Sequence, residues 1–337
     1  MRTTVRELRE LATAAFTTAG LSKTYAQQSA DVLIAAEAWG LQSHGFLRLP
    51  VYLDRLASGG YNKAAKLVAQ QDTGPLAVFN GQQGLGLWQM VQASEEAAMR
   101  AKKYGIAAVA VADSGHCGAL GYSVDQLARQ GLVGLAFSTG PATLPPWGGN
   151  KKLLSTSPIA AGFPIDGVPI VIDMALSTVA RGKIAAMAKT GEPLPDGWAL
   201  DAYGQATNDA KEALEGMLSP LGGAKGFALA FMVESLTAGL IGPTLAADAP
   251  DFFDKGAYDQ PQGIAHLVIA IDPSLTDGSG ISKGARKRLT DLTVRTKSAG
   301  GRAPGANRRS LAELSEDEVL EIDLELYRTI IERLGEN

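Results

Sequence analysis

The chain lacks most of what the commonest reactive centres are built from. A single cysteine, Cys117, in 337 residues excludes an intrachain disulfide and a cluster of metal-bound thiolates. The three histidines, His44, His116 and His266, fall at no short metal-ligand spacing, so no metal is expected. There is no G-x-S-x-G elbow, no P-loop and no H-E-x-x-H, which sets aside ordinary serine hydrolases, P-loop nucleotidases and zinc proteases. The dinucleotide fingerprint G-x-G-x-x-G is missing too. Gly84-Leu85-Gly86 begins one, but Gln89 stands where the third glycine belongs. A nicotinamide cofactor, if bound, is therefore not held by an ordinary Rossmann motif. Long apolar runs are absent; the longest weakly polar stretch, 227–241, contains Glu234 and reads as a buried helix. Basic blocks are short (Lys151-Lys152, Arg286-Lys287-Arg288, Arg308-Arg309) and the net charge is −4. Neither a nucleic-acid nor a membrane partner is expected. Met1–Glu7 has no apolar signal core, so with one cysteine a reducing cytoplasm is the expected location.

What is present suits a globular enzyme. Hydrophobic residues make up 46% and charged residues 20%, enough for a sizeable core. The length allows two domains, or one with a helical appendage. Helical spacing predicts helices over 4–20 and 23–39, with Gly20 and Gly40 as end signals. Further helices are expected at 50–58, 88–103, 123–130, 177–190, 228–240 and 282–296, and an amphipathic one over 315–334. Strands are expected at 76–80, 106–111, 133–138, 159–164, 170–174 and 266–271. The 39 glycines gather around these strands.

Two segments carry the chemistry. Ser43-His44-Gly45-Phe46-Leu47-Arg48 places a proton carrier four residues before a side chain that grips carboxylates bidentately. The bland reading is a helix end with a surface arginine. Asp113-Ser114-Gly115-His116-Cys117-Gly118-Ala119-Leu120-Gly121-Tyr122 joins a strand to a helix. It is either a pyrophosphate cradle at a helix start or a tight turn with no ligand. Lys225 between glycines could neutralise a phosphate or be a solvated lysine. Arg302, Arg308 and Arg309 could grip a 2′-phosphate or belong to a surface loop. His266, ahead of an apolar run, reads as a core histidine.

In order along the chain, these segments resemble the malate/L-lactate dehydrogenase family that lacks the Rossmann fold, which includes Δ1-piperideine-2-carboxylate/Δ1-pyrroline-2-carboxylate reductases. The resemblance rests on Ser43-His44-Gly45-x-x-Arg48, Gly115-His116-x-Gly118-Ala119-x-Gly121-Tyr122 and Pro146-Trp147-Gly148-Gly149. It continues through Thr156-x-Pro158, Asp173-Met174-Ala175-x-Ser177, Ala180-Arg181-Gly182-Lys183, Gly222-Gly223-x-Lys225-Gly226 and Pro304-Gly305. It implies an α/β (α+β) fold: a nicotinamide-binding domain on a mostly antiparallel sheet of about seven strands, with helical parts from both termini. The expected division is 1–75 with 275–337 as a helical substrate and dimerisation part, and 76–274 as the sheet domain with a helical insertion around 177–240. It implies a homodimer, His44 as proton donor supported by Ser43, and Arg48, Thr156 and His116 as substrate contacts. Cofactor contacts are implied at His116, Cys117, Gly118, Ala119, Leu120, Asp173, Met174, Ala175, Lys183, Lys225, Gly226, Arg302, Pro304, Gly305, Arg308 and Arg309.

The chain departs from the family pattern at three places. Lys183 stands where some imine reductases carry a relay aspartate. The familiar G-T-N-P is Ser155-Thr156-Ser157-Pro158, and Ala306 replaces the glutamate of P-G-E. The expected reaction is hydride transfer from NADPH, with NADH as the alternative, to C2 of a small carboxylate. The expected substrate leans to a cyclic imine, Δ1-pyrroline- or Δ1-piperideine-2-carboxylate. A 2-oxoacid/2-hydroxyacid dehydrogenase (malate, lactate, sulfolactate or ureidoglycolate type) is the alternative. An inactive nucleotide-binding relative is the rival of another class, and the intact Ser43, His44 and Arg48 speak against it.

Overall fold

The computed structural model describes residues 1–276, 284–309 and 311–335. A short strand, β1 (Arg2–Thr4), leads into α1 (Val5–Thr18) and α2 (Lys23–Ala38). Thr4 and Glu7 close the start of α1 as a capping box, each side chain accepting from the other's backbone N–H. Gly20 and Gly40 take φ of 104° and 72° just past the two helices, the left-handed conformation that ends a helix without a Cβ clash. Two 3₁₀ turns, Gln42–His44 and Phe46–Arg48, then precede α3 (Leu49–Ser58).

The chain next alternates as β2 (Val68–Asp72), β3 (Leu76–Gly84), α4 (Gly86–Tyr104), β4 (Ile106–Ser114), α5 (Leu120–Arg129), β5 (Val133–Ser138), β6 (Ile159–Phe163) and β7 (Ile170–Met174). After β7 come α6 (Arg181–Thr190), β8 (Ala199–Leu200), β9 (Ala206–Thr207), α7 (Ala210–Glu215), β10 (Met217–Leu218) and α8 (Ala224–Glu234). The strand β11 (Ile264–Ile271) follows, then α9 (Pro273–Thr276), α10 (Gly284–Ser298), β12 (Val319–Glu321) and α11 (Leu324–Gly335).

Seven strands form one sheet in the order β2-β3-β4-β11-β5-β6-β7. Only β3 and β4 run parallel; the other neighbours are antiparallel. The late strand β11 lies at the centre between β4 and β5, which is why its sequence is nearly all apolar. His266, inside β11, is fully buried, with one ring nitrogen on Ser138 Oγ and the other near Ser114 Oγ and the Gly115 carbonyl. It is a core residue, as its apolar neighbours suggested.

The incomplete fingerprint at Gly84-Leu85-Gly86 turns out to serve packing. A Cβ on Gly86 would lie 2.0 Å from the Gly115 carbonyl oxygen, so α4 can approach the β4 end only as glycine. Gln89, at the missing third glycine, is buried: it donates to the Gly81 carbonyl and accepts from Ser114 Oγ. Among the described residues there are three apolar clusters: one among the N-terminal helices with Leu314, Ile322 and Ile330, one between the sheet and α4/α5, and one around α6–α8.

Several elements differ from expectation. The segment 315–334 is not one helix. Val319–Glu321 pairs antiparallel with Arg2–Thr4, and Asp323 accepts from the Leu326 N–H, a side-chain cap that starts the helix after it. The helix expected from Ser177 begins at Arg181, because Ser177 bridges Pro220 and the Thr178 N–H bonds the Ser219 carbonyl. The helix expected at 228–240 starts at Ala224 and ends in a π turn, Ser235–Gly239. The strand β2 and the small sheet β10-β8-β9 had no counterpart in the sequence reading. Of the helix expected at 282–296, the first two residues lie outside the described residues.

Candidate active site

The Ser43–Arg48 segment is held as a rigid loop. The buried carboxylate of Glu37, on α2, accepts from the Phe46 N–H at 3.0 Å, and burial raises its pKa. A Cβ on Gly45 would lie 2.2 Å from that same carboxylate. Within the loop, Ser43 Oγ and His44 Nδ1 are 2.9 Å apart, and Arg48 Nε donates to the Ser43 carbonyl at 2.7 Å. Histidine, serine and arginine are thus tied into one unit by side-chain and backbone bonds.

The strand-to-helix segment after β4 brings His116 to this unit. The two imidazoles stack with centroids 6.0 Å apart. His116 Nδ1 lies 2.7 Å from the Tyr52 hydroxyl, and Gln262 Oε1 accepts from both the His116 N–H and the Tyr61 hydroxyl. On the other side Phe252 stacks on His116 at 4.7 Å, and Phe253 lies under the Arg48 guanidinium at 4.5 Å.

Electrostatics follow from burial. Desolvation lowers the His44 pKa, the Asp173 carboxylate opposes this, and the Arg48 charge adds to it. Asp173 is raised, first by burial, against the Gly121 N–H, Arg308 and His44, which lower it. His116 is held well below the ordinary histidine value by burial and by its cationic neighbours.

Asp173 and Arg308, also singled out from sequence, lie within electrostatic reach of this unit. Asp173, at the end of β7, accepts from the Gly121 N–H at 2.9 Å. Gly305 packs on β7, where a Cβ would meet the Val171 carbonyl at 2.6 Å. Arg308 lies over the Trp39 ring, and its Nη1 is buried without a partner among the described residues. Thr156 accepts through its carbonyl from the Leu176 N–H, next to Ala175. Arg309 pairs with Glu318, and its carbonyl accepts from the Trp39 indole. Cys117 is buried, and its thiol is pushed up to about 12, so it is not a nucleophile.

Lys183 is exposed, its Nζ 4.7 Å from the centre of the Trp198 ring. Lys225 and Gly226 open α8 beside a separate cleft of about 630 Å³, lined among others by Trp147, Thr178, Pro220, Gly222 and Gly223. None of Ser43, His44, Arg48 or His116 lines that cleft. The residues that the sequence reading missed are Tyr52, Phe252, Phe253 and Gln262. Tyr52 alone had a local signal, one helical turn after Arg48.

The site fits a phosphate-bearing cofactor on one observation. Arg308 Nη1 is a buried donor without an acceptor among the described residues, whereas the first turn of α5 already has the Asp173 carboxylate on its Gly121 N–H. A mostly antiparallel sheet beside a histidine–arginine unit, with no Rossmann fingerprint, suits an oxidoreductase of non-Rossmann type.

Comparison with known proteins narrows the class. A model of the malate/L-lactate dehydrogenase family matches residues 3–331. The (2R)-3-sulfolactate dehydrogenase (NADP(+)) of Chromohalobacter salexigens is 39% identical over 314 residues, 91% of this chain and 90% of that protein. The Δ1-pyrroline-2-carboxylate/Δ1-piperideine-2-carboxylate reductase of Pseudomonas aeruginosa is 34% identical over 332 residues, 98% of each chain. Among solved structures, the Δ1-piperideine-2-carboxylate reductase of Pseudomonas syringae superposes with a TM-score of 0.87 at 31% identity, covering 100% of this chain and 99% of that one. The chain belongs to the malate/L-lactate dehydrogenase family. It is an NAD(P)-dependent oxidoreductase.

Proposed function

We propose that the chain reduces C2 of a small 2-oxo carboxylate, with His44 as proton donor and Arg48 as carboxylate clamp. The observation that carries this is the single unit of Ser43, His44 and Arg48. With Nε committed to the Ser43 carbonyl, the outer edge of the Arg48 guanidinium faces the ligand as a fixed fork. In the protonated ring, Nδ1–H donates to Ser43 Oγ, which leaves Nε2–H for the oxygen that gains charge at C2. His116, kept neutral by burial, adds an aromatic wall and no competing charge. The bound reduced nicotinamide supplies the hydride. The residues that would hold it are His116–Gly121, Asp173–Ala175 and the 302–309 loop, with Lys183, Lys225 and Gly226 as further contacts. Arg308 Nη1, without a partner among the described residues, favours NADPH, whose extra phosphate it would meet.

The cyclic imine stands as the second reading, supported by the similarity to the Pseudomonas reductases over nearly the full chain. We place the 2-oxo acid first because Lys183, with its Nζ over Trp198, offers no relay acid. We also infer a homodimer, since α8 and the turn after it leave Leu229, Phe231, Met232 and Leu240 exposed.

The test follows cofactor consumption with pyruvate, oxaloacetate, sulfopyruvate and the two cyclic imines. His44→Ala is expected to lower kcat by about 10²- to 10⁴-fold while cofactor binding, read by fluorescence, survives. Arg48→Ala should raise KM and lower kcat. Turnover of the His44 variant at the wild-type rate would remove the proton-donor role.

A further inference from the structure

Arg48, Tyr52 and Arg55 follow one another at helical spacing along α3 and its cap. The first two reach Phe253 and His116. Arg55 has no part in the proton-donor unit, yet it is fully buried. A buried guanidinium is costly unless it is paired, and among the described residues its hydrogen bonds go to no carboxylate. They go to backbone carbonyls at the two ends of one loop. Nη2 donates to the Asp251 carbonyl at 3.0 Å and Nη1 to the Gln260 carbonyl at 3.1 Å. The guanidinium carbon lies 5.3, 5.8 and 5.8 Å from the ring centres of Tyr258, Tyr61 and Phe252.

The loop held in this way supplies an aromatic shelf to the site. Phe252 is buried and stacks on His116, so packing holds it in place. Phe253 is 40% exposed, and its place under the Arg48 guanidinium depends on the backbone that carries it. The polar tie of this loop to α6 is weak: Asp251 Oδ2 lies 3.3 Å from Arg181 Nη1, and both side chains are partly exposed. The loop also lies close on the turn after α3, where a Cβ on Gly60 would stand 2.1 Å from the Tyr258 carbonyl oxygen.

We infer that Arg55 is a positioning residue for the carboxylate clamp. By tying both ends of the 251–260 loop to α3, it holds Phe253 under Arg48 and so fixes the angle at which that fork meets the substrate. This deepens the proposed function and rests on Arg48 as the clamp. Lysine is no equivalent here, because a single ammonium lacks the planar fork that spans the two carbonyls.

The experiment compares the wild type with Arg55→Lys, Phe253→Leu and the double variant, all loaded with reduced cofactor. Oxamate, a pyruvate mimic that cannot be reduced, is titrated by calorimetry, and kcat and KM are taken for the oxo acid turned over fastest. Arg55→Lys is expected to weaken oxamate binding and raise KM by about 10-fold, the mark of a misplaced clamp. The change in kcat should be smaller, and cofactor affinity unchanged. Because Arg55 acts through Phe253, adding Phe253→Leu to Arg55→Lys should cost little more. Equal losses in kcat and KM, weaker cofactor binding, or losses that multiply in the double variant overturn the inference. Arg48→Ala keeps the two readings apart. Oxamate lost in Arg48→Ala and kept in Arg55→Lys overturns the inference and leaves the clamp standing. Oxamate kept in Arg48→Ala overturns the clamp, and this inference with it. If Arg55→Lys does not fold, Gly60→Ala replaces it, with Arg55 intact and the loop pushed off α3. The same loss, not deepened by Phe253→Leu, then supports the inference; unchanged oxamate affinity or multiplied losses overturn it.

Discussion

His44 sits between opposing influences, and its titration is the most direct readout of the site. Burial and Arg48 favour the neutral ring, while Asp173 favours the charged one, and the net shift is downward from 6.5. Reduction needs the protonated ring. The reduction rate is therefore expected to fall as pH rises through a midpoint below 6.5, and the reverse oxidation to rise through the same midpoint. Asp173→Asn removes the influence that favours the charged ring, so the midpoint should move further down. A midpoint that stays put or rises in that variant, measured from kcat against pH, removes Asp173 from the electrostatics of the ring. Ser43, His44 and Arg48 were legible in the sequence because the bonds joining them span at most five residues. Phe252 and Phe253 were not. They reach His116 and Arg48 from across the chain, and a pair of aromatics in a polar loop has no period that marks it.

At the scale of elements, the approach of α4 to the turn after β4 decides where His116 lies. Gly86 meets the Gly115 carbonyl with no side chain between them, and both partners are backbone, so no rotamer change relieves an added methyl. Gly86→Ala is expected to displace the Gly115–Gly118 turn, weaken cofactor binding at least tenfold and lower Tm by several degrees, as read by fluorescence titration and calorimetry. Gly45→Ala offers a contrast. Its clash is with the mobile end of the Glu37 side chain, which can turn away at the loss of the Phe46 bond. Helix and strand cores were readable from apolar spacing, and β5 and β7 matched residue for residue. The exposed strand β2 carried no such pattern, and β12 was hidden because its apolar residues also fit a helical period. Its partner, β1, lies at the opposite end of the sequence.

At the scale of the whole molecule, the central strand couples stability to pH. His266 is buried and its pKa is lowered to about 4 by desolvation. A depressed histidine adds stability that is complete above the unfolded-state value near 6.5 and is lost as pH falls toward 4. At roughly 1.4 kcal/mol per unit, the loss approaches 3 kcal/mol from this group alone. Thermal unfolding between pH 7 and 4 should show the decline, and a flat Tm over that range would contradict it. Assembly gives a second expectation. Phe231→Glu, on the exposed apolar side of α8, should convert a dimer to monomers in sedimentation velocity; a monomeric wild type would refute the homodimer.

The pairing of Arg2–Thr4 with Val319–Glu321 also bears on biosynthesis. The strand Arg2–Thr4 has no mate until Val319–Glu321 has been translated. Closing so long a loop is entropically slow to reward. The helices behind the His44 loop share a cluster with Leu314, Ile322 and Ile330, so that cluster is completed only once residue 330 has emerged. A chain stalled before residue 314 would carry the whole Ser43–Arg48 motif on an unfinished support, so competence for the reaction waits for Leu314, Ile322 and Ile330 to join the cluster.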